Sequence, residues 1–170
     1  CFAQPRATEI RAVWLTTNWG LDWPSQPKTS VASQKAELCK ILDQLHDLKF
    51  NTVLFQARAQ GEAFYSSNYQ PLSKQFNSTN GFDPLAFAID ECHKRGMECH
   101  AWLITFPVEK QKMTGKGKKR KPVKEVKPDN YKAFEGTWYL DPGHPDTKKQ
   151  LVQIAEEVVR NYDVDGIHFD

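Results

Sequence analysis

A chain of 170 residues with 39% hydrophobic and 12% aromatic residues is long and apolar enough to close around one core, which excludes global disorder. No apolar run approaches the ~18 residues needed to cross a bilayer, and no charged-then-apolar leader stands at the start, so an exported form would have lost its signal already. The net charge of +2 is unevenly spread: residues 107–136 hold ten Lys/Arg against four acids, a net of +6 that leaves −4 for the remainder. A single basic segment on a mildly acidic chain argues against nucleic-acid binding and reads as an insertion.

In chain order, Arg11 to Thr17 is a β-rich run, followed by a loop carrying Gly20, Pro24 and Pro27. From about Ser33 the period turns helical, with Leu38, Ile41, Leu42, Leu45 and Leu48 forming one apolar stripe. Asn51 to Arg58 is a second strand, and a long polar loop, Gln60 to Gly81, leads to Asp83-Pro84, an N-cap followed by a first-turn proline. The helix they open carries Leu85, Ile89 and Cys92 on one face and stops at Gly96. Met97 to Phe106 is the third strand. The basic segment comes next, where Gly115, Gly117, Pro122 and Pro128 argue against regular structure. Pro145 opens a third helix with Leu151, Ile154, Ala155, Val158 and Val159 facing inward, and Gly166 to Asp170 is the fourth strand.

Alternating strands and helices with near-continuous apolar strands mean a parallel sheet covered by helices. Two architectures fit, a doubly wound open sheet and the N-terminal half of a (β/α)8 TIM barrel. The first βα loop lacks G-x-G-x-x-G, and polar residues close the strands, both of which favour the barrel. The expected organisation is a tail at 1–8 and a half-barrel domain at 9–170, with a Lys-rich βα-loop insertion at 107–136. Strands near 11–17, 51–58, 98–105 and 166–170 are expected to lie side by side in chain order.

The cysteines, Cys1, Cys39, Cys92 and Cys99, contain no C-x-x-C pair, and the last three fall among apolar positions, as buried free thiols do. A mature chain beginning with Cys1 fits either lipoprotein processing, with the lipid on its thiol as a membrane anchor, or an arbitrary boundary.

Side chains alternate along a strand, so Gln56 and Arg58 share a face, as do His100 and Trp102, and His168 and Asp170. Each pair sits toward the C-terminal end of its strand, the catalytic end in barrel enzymes. Asp170 is the leading candidate for a catalytic carboxylate, the alternatives being a loop cap or a partner for Arg58. Arg58 suits a clamp on a carboxylate or sugar hydroxyl, or an ion pair with Asp170 or Asp141. Gln56 and His100 can hydrogen-bond a hydroxylated ligand, while Trp102 and Trp14 offer either a stacking platform for a pyranose or core packing. Asp141 is a weaker candidate, since Asp141-Pro142-Gly143 also suits a turn. Arg58, His100 and Asp170 are expected to converge on one cleft. His100, His168 and Asp170 allow a metal reading, but two histidines one residue apart on the first strand are absent, so neither metal nor cofactor is expected. The run Lys116 to Lys121 is either solvated or draws an anionic polymer to the rim.

Arg11-Ala-Val-Trp14, Asn51 to Arg58, Ala63-Phe-Tyr-Ser66, Phe82-Asp-Pro-Leu-Ala86, His93-Lys-Arg-Gly96, His100-Ala-Trp102, Leu140-Asp-Pro-Gly143 and Tyr162 to Asp170 together resemble the glycosyl hydrolase-like 10 family, in order over nearly the whole chain. The resemblance implies a TIM-barrel glycosidase of the bacterial envelope, often exported and lipid-anchored, acting on a polysaccharide such as the glycan strands of peptidoglycan. It also implies four further strands and a second catalytic carboxylate after Asp170. Gln56, Arg58, His100, Trp102, His168, Trp14 and Asp141 would then contact substrate. Two rival readings stay open: a non-catalytic glycan-binding envelope protein, and a metal-dependent hydrolase or deacetylase. A half-barrel with open sheet edges, made alone, is also expected either to aggregate or to pair with a second copy.

Overall fold

The computed structural model describes residues 9–76, 81–115 and 120–170. Cys1 and its possible lipid, together with Lys116, Lys118 and Lys119 of the basic run, lie outside them.

The framework follows the apolar periodicity. Strand β1 (Ala12–Leu15) leads through a short 3-10 turn, Asn18–Gly20, to helix α1 (Val31–Asp47), whose N-cap Ser30 accepts a hydrogen bond from the Ser33 amide at 3.2 Å. Leu38 and Leu42 are buried on its inner face. Leu48 was expected on that stripe but is exposed, because the helix ends one residue earlier. Strand β2 (Thr52–Ala59) is buried along its whole length. Asp83 caps helix α2 (Pro84–Lys94) by accepting from the Ala86 amide at 3.0 Å, and Gly96 leaves the helix at a φ of 69°, a conformation without steric cost only for glycine. Strand β4 (Glu98–Leu103), helix α3 (Pro145–Asn161) and strand β10 (Gly166–Phe169) complete the repeat.

The sheet order is β1-β2-β4-β10, all parallel and sequential, as a barrel requires and a doubly wound sheet forbids. Odd-numbered residues of β4, Cys99, Ala101 and Leu103, are buried beneath the helices, while Glu98, His100 and Trp102 stand on the opposite, more open face. Cys92 and Cys99 are buried free thiols, and Cys39 is half-buried.

Two segments expected to be irregular are ordered. The loop 60–81 contains strand β3 (Glu62–Ala63), antiparallel to β2, and sends Phe64, Tyr65 and Phe76 into the core. Phe76 packs edge-on against Phe64 at 5.7 Å and near Trp23 at 6.1 Å, so this loop supplies aromatic mass that its polar composition conceals. The basic insertion forms two small sheets. Strands β5 (Pro107–Lys110), β8 (Tyr131–Phe134) and β9 (Thr137–Leu140) pair antiparallel in the order β5-β9-β8, and β6 (Met113–Thr114) pairs with β7 (Lys121–Pro122). The β8–β9 connection is a two-residue hairpin in which both Glu135 and Gly136 take positive φ, 43° and 74°. The prolines that argued against strands fall at strand ends or between them. Lys127 pairs with Glu109 and lies 5.9 Å over the Trp138 ring, so part of the positive charge is consumed inside the insertion.

On α3, Ile154 and Val158 are buried as expected, whereas Val159 is exposed and Leu151 half-buried. These two join Phe106, Val152, Ala155 and Phe169 around an open apolar groove of about 730 Å³.

Beneath the sheet, Glu91 of α2 is held by Arg95 at 2.7 Å and Lys94 at 2.6 Å, which lowers its carboxyl to about 2. A depressed carboxyl stabilises the fold fully above its unfolded value near 4.5, and that contribution is lost as pH falls toward 2. Glu91→Gln is therefore expected to flatten the acid limb of the stability–pH profile between about pH 4.5 and 2. Urea midpoints measured across that range check it.

Candidate active site

The open face of the parallel sheet gathers aromatic and polar side chains at its C-terminal end. Trp14 on β1 and His168 on β10 are at opposite edges of the sheet order, yet their rings lie 5.9 Å apart at 64°. The sheet therefore curls enough to bring its first and last strands face to face. Trp102 flanks the same imidazole at 6.4 Å, leaving His168 between two indoles. The Trp102 Nε1–H donates to Asp170 Oδ2 at 3.1 Å, so the cradle and the carboxylate form one unit. Trp14 is exposed on this face.

Asp170 is fixed by its backbone. Its amide donates to the Leu103 carbonyl at 3.0 Å, and its carbonyl accepts from the Thr105 amide at 2.7 Å and the Thr105 hydroxyl at 2.6 Å. Thr105 is held in turn by Arg58. A register shift between Gln56 and Arg58 sets Arg58 opposite Leu103 and carries its guanidinium over the end of β4. There Nη1 donates to the carbonyls of Ile104 and Thr105, the latter at 3.1 Å, and Nε donates to Gln70 Oε1 at 2.6 Å. Arg58 is only 1% exposed, and burial lowers its pKa to about 10 despite the favourable influence of Tyr65 and Tyr131. Burial likewise pushes the Tyr65 phenol up to about 12.

Several expectations need correction. Arg58, His100 and Asp170 do not converge. The Arg58 fork is spent on carbonyls and an amide rather than on an acid, and His100 hydrogen-bonds Glu98 at 3.1 Å toward the N-terminal end of β4. His100 lies tight over Gly166, where an added Cβ would stand 2.6 Å from Nδ1. Gln56 is buried, and its Oε1 accepts from the Thr17 amide at 2.9 Å and the Asn18 amide at 2.7 Å, which braces the loop after β1. Asp141 accepts from the Gly143 amide at 2.9 Å in the turn before α3, and lines a groove with Phe106, Phe134 and Tyr139 beside the insertion. What the geometry joins is Trp14, Trp102, His168 and Asp170.

Sequence reasoning overlooked Thr105 and Gln70. Thr105 fell within the expected third strand, where a lone threonine carries no distinguishing signal. Gln70 lay in a loop without periodicity. Among the described residues no three His, Cys, Asp or Glu side chains cluster at ligating distance.

Comparison with known proteins places the chain in a family. The family model of glycosyl hydrolase-like 10 matches residues 9–170. Over 167 residues the chain is 36% identical to glycosyl hydrolase YngK of Bacillus subtilis, covering 95% of this chain and 32% of that protein. Over 186 aligned residues it is 32% identical to glycosyl hydrolase DigH of Escherichia coli K12, covering 98% of this chain and 42% of that protein. The chain thus spans well under half the length of these two relatives. Among solved structures, α-L-fucosidase isoenzyme 2 of Paenibacillus thiaminolyticus superposes with a TM-score of 0.58 at 19% identity, over 94% of this chain and 23% of that one. The maltogenic α-amylase AmyB of Thermotoga neapolitana superposes at 0.57 and 12% identity, over 94% and 38%. These structural likenesses show the fold.

Arg58→Met is expected to leave two carbonyls and the Gln70 amide without their donor in a buried setting, costing about 2 kcal/mol or more. Denaturant midpoints of the variant and the parent measure this.

Proposed function

Because the chain belongs to the glycosyl hydrolase-like 10 family, we propose that it contributes the N-terminal half-barrel of a glycosidase acting on a bacterial envelope polysaccharide such as the glycan strands of peptidoglycan. The observation that carries this reading is the carboxylate of Asp170, which follows β10 and is bonded to Trp102 in a cradle of two indoles and an imidazole. Indole faces bind the apolar C–H face of a pyranose, and the carboxylate beside them handles the proton or attacks the anomeric carbon. Glycosidic hydrolysis uses two carboxyl groups about 5–10 Å apart. Asp170 supplies one in this reading, and the other lies outside residues 9–170.

In the same reading the protein works in the envelope, with Cys1 as its lipid attachment point. For the 170-residue piece made alone, association with a second copy is the proposal: among its described strands β1 and β10 each have a single neighbour, and an open edge templates further pairing. Light scattering of the 170-residue chain should then give at least a dimer mass, and a monodisperse monomer would count against association.

Asp170→Asn keeps the volume of the side chain and removes its charge and titratable proton. In the complete barrel domain, hydrolysis of peptidoglycan glycan strands should fall by at least about 10²-fold while affinity changes far less. A folded Asn variant that cleaves at the parental rate would make Asp170 structural. A parent that binds strands without cleaving them would favour a glycan-binding protein instead.

A further inference from the structure

A cavity opens at the same end of the sheet, beyond β1 and β2. It encloses about 380 Å³, within the range of small-ligand sites, and Trp19, Gln60, Glu62, Phe64, Lys74 and Gln75 are among its lining residues. Three features separate it from an incidental hollow. Trp19 is 68% exposed at the cavity mouth, so its ring is open to stacking by a ligand. Trp19 and Gln60, which follow the ends of β1 and β2, hold left-handed φ values of 55° and 49°. Residues with a Cβ adopt that conformation at an energetic cost, and such costs concentrate at binding sites. Finally, Gln75 donates through Nε2 to the Thr17 carbonyl at 2.5 Å, which ties one wall of the cavity to the loop after β1.

The other walls are polar. Glu62 accepts from the Lys74 ammonium at 2.9 Å and from its backbone amide at 3.1 Å, giving a held acceptor and an exposed cation on one side. Stacking surface on one wall and hydrogen-bonding groups on the others suit a neutral, hydroxyl-rich ring better than an apolar ligand or a bare anion. The same Thr17–Gln56 bonds that brace the loop after β1 also set the base on which Trp19 stands. From β2 to β10 the sheet advances by two strand spacings, about 10 Å, a gap that a short oligosaccharide bridges.

We infer that the Trp19 cavity is a distal sugar subsite, which holds a pyranose unit of the glycan chain one or a few residues away from the unit at Asp170. This inference rests on the glycosidase reading for the identity of its ligand, and adds to it a preference for long chains over short ones. The loop that carries Trp19 is thereby given a role in chain-length selection that the Trp14–Trp102 cradle does not explain.

The test compares binding of N-acetylglucosamine–N-acetylmuramic acid oligosaccharides of two and of eight sugars by titration calorimetry, in the protein with Asp170→Asn so that turnover does not interfere. Adding Trp19→Ala should lower the ratio of octasaccharide to disaccharide affinity by about five- to tenfold, the scale of one lost aromatic contact. Trp19→Phe should restore most of it, whereas a folding defect would weaken both ligands alike and would not be rescued by size. An unchanged ratio overturns the subsite, as does equal weakening of both ligands. If Trp19→Ala lowers the ratio while the protein with native Asp170 cleaves nothing, the subsite stands and the hydrolase reading falls. If the protein binds neither oligosaccharide, both fall.

Discussion

The end of this sheet is organised around a buried guanidinium whose hydrogen-bond acceptors among the described residues are amide and carbonyl oxygens rather than carboxylates. Arg58 satisfies its charge with the carbonyls of Ile104 and Thr105 and the side-chain oxygen of Gln70. Taking such a group out of water is expensive, and only a closely fitted set of acceptors offsets it. The need for those acceptors dictates where the chain goes after β4. It must turn so that two successive carbonyls face back toward β2, and this presents the Thr105 amide and hydroxyl to the backbone of Asp170. The position of the candidate carboxylate is thus inherited from the solvation of an arginine two strands away.

Curvature is the second determinant. A flat four-stranded sheet would keep the first and last strands about 15 Å apart. Here the Trp14 and His168 rings are in contact, and Trp102 fills the space between His168 and Asp170. Right-handed twist and parallel register produce this curl. Gly166 assists locally, since the His100 ring occupies the volume that any side chain there would need. Small residues on one strand thereby make room for large ones on the next, which is how barrel interiors are filled.

The insertion after β4 shows how charge can disguise structure. Its lysines and prolines suggest a solvated loop, yet the alternation in Tyr131–Phe134 and Thr137–Leu140, with Glu135-Gly136 between them, builds a hairpin that continues to β5. Gly61, at a φ of 68°, lies so close to Val108 of β5 that an added Cβ would stand 2.8 Å from its Cγ1. The insertion is therefore packed against the turn after β2 rather than suspended from the rim.

The sequence alone determined the parallel sheet, the caps at Asp83 and Gly96, and the shared strand faces of His100 with Trp102 and of His168 with Asp170. Each of these depends on local periodicity or on a residue's own conformational preference, and both are written in neighbouring letters. Tertiary structure alone decided which of those residues meet. Arg58, His100 and Asp170 share an expected register, but a one-residue bulge, the pull of nearby carbonyls on a buried cation and the proximity of Glu98 send their side chains to different partners. Hydrogen-bond satisfaction in a buried setting depends on groups far apart in the chain, Gln70 and Thr105 among them, and no pattern of spacing encodes that choice.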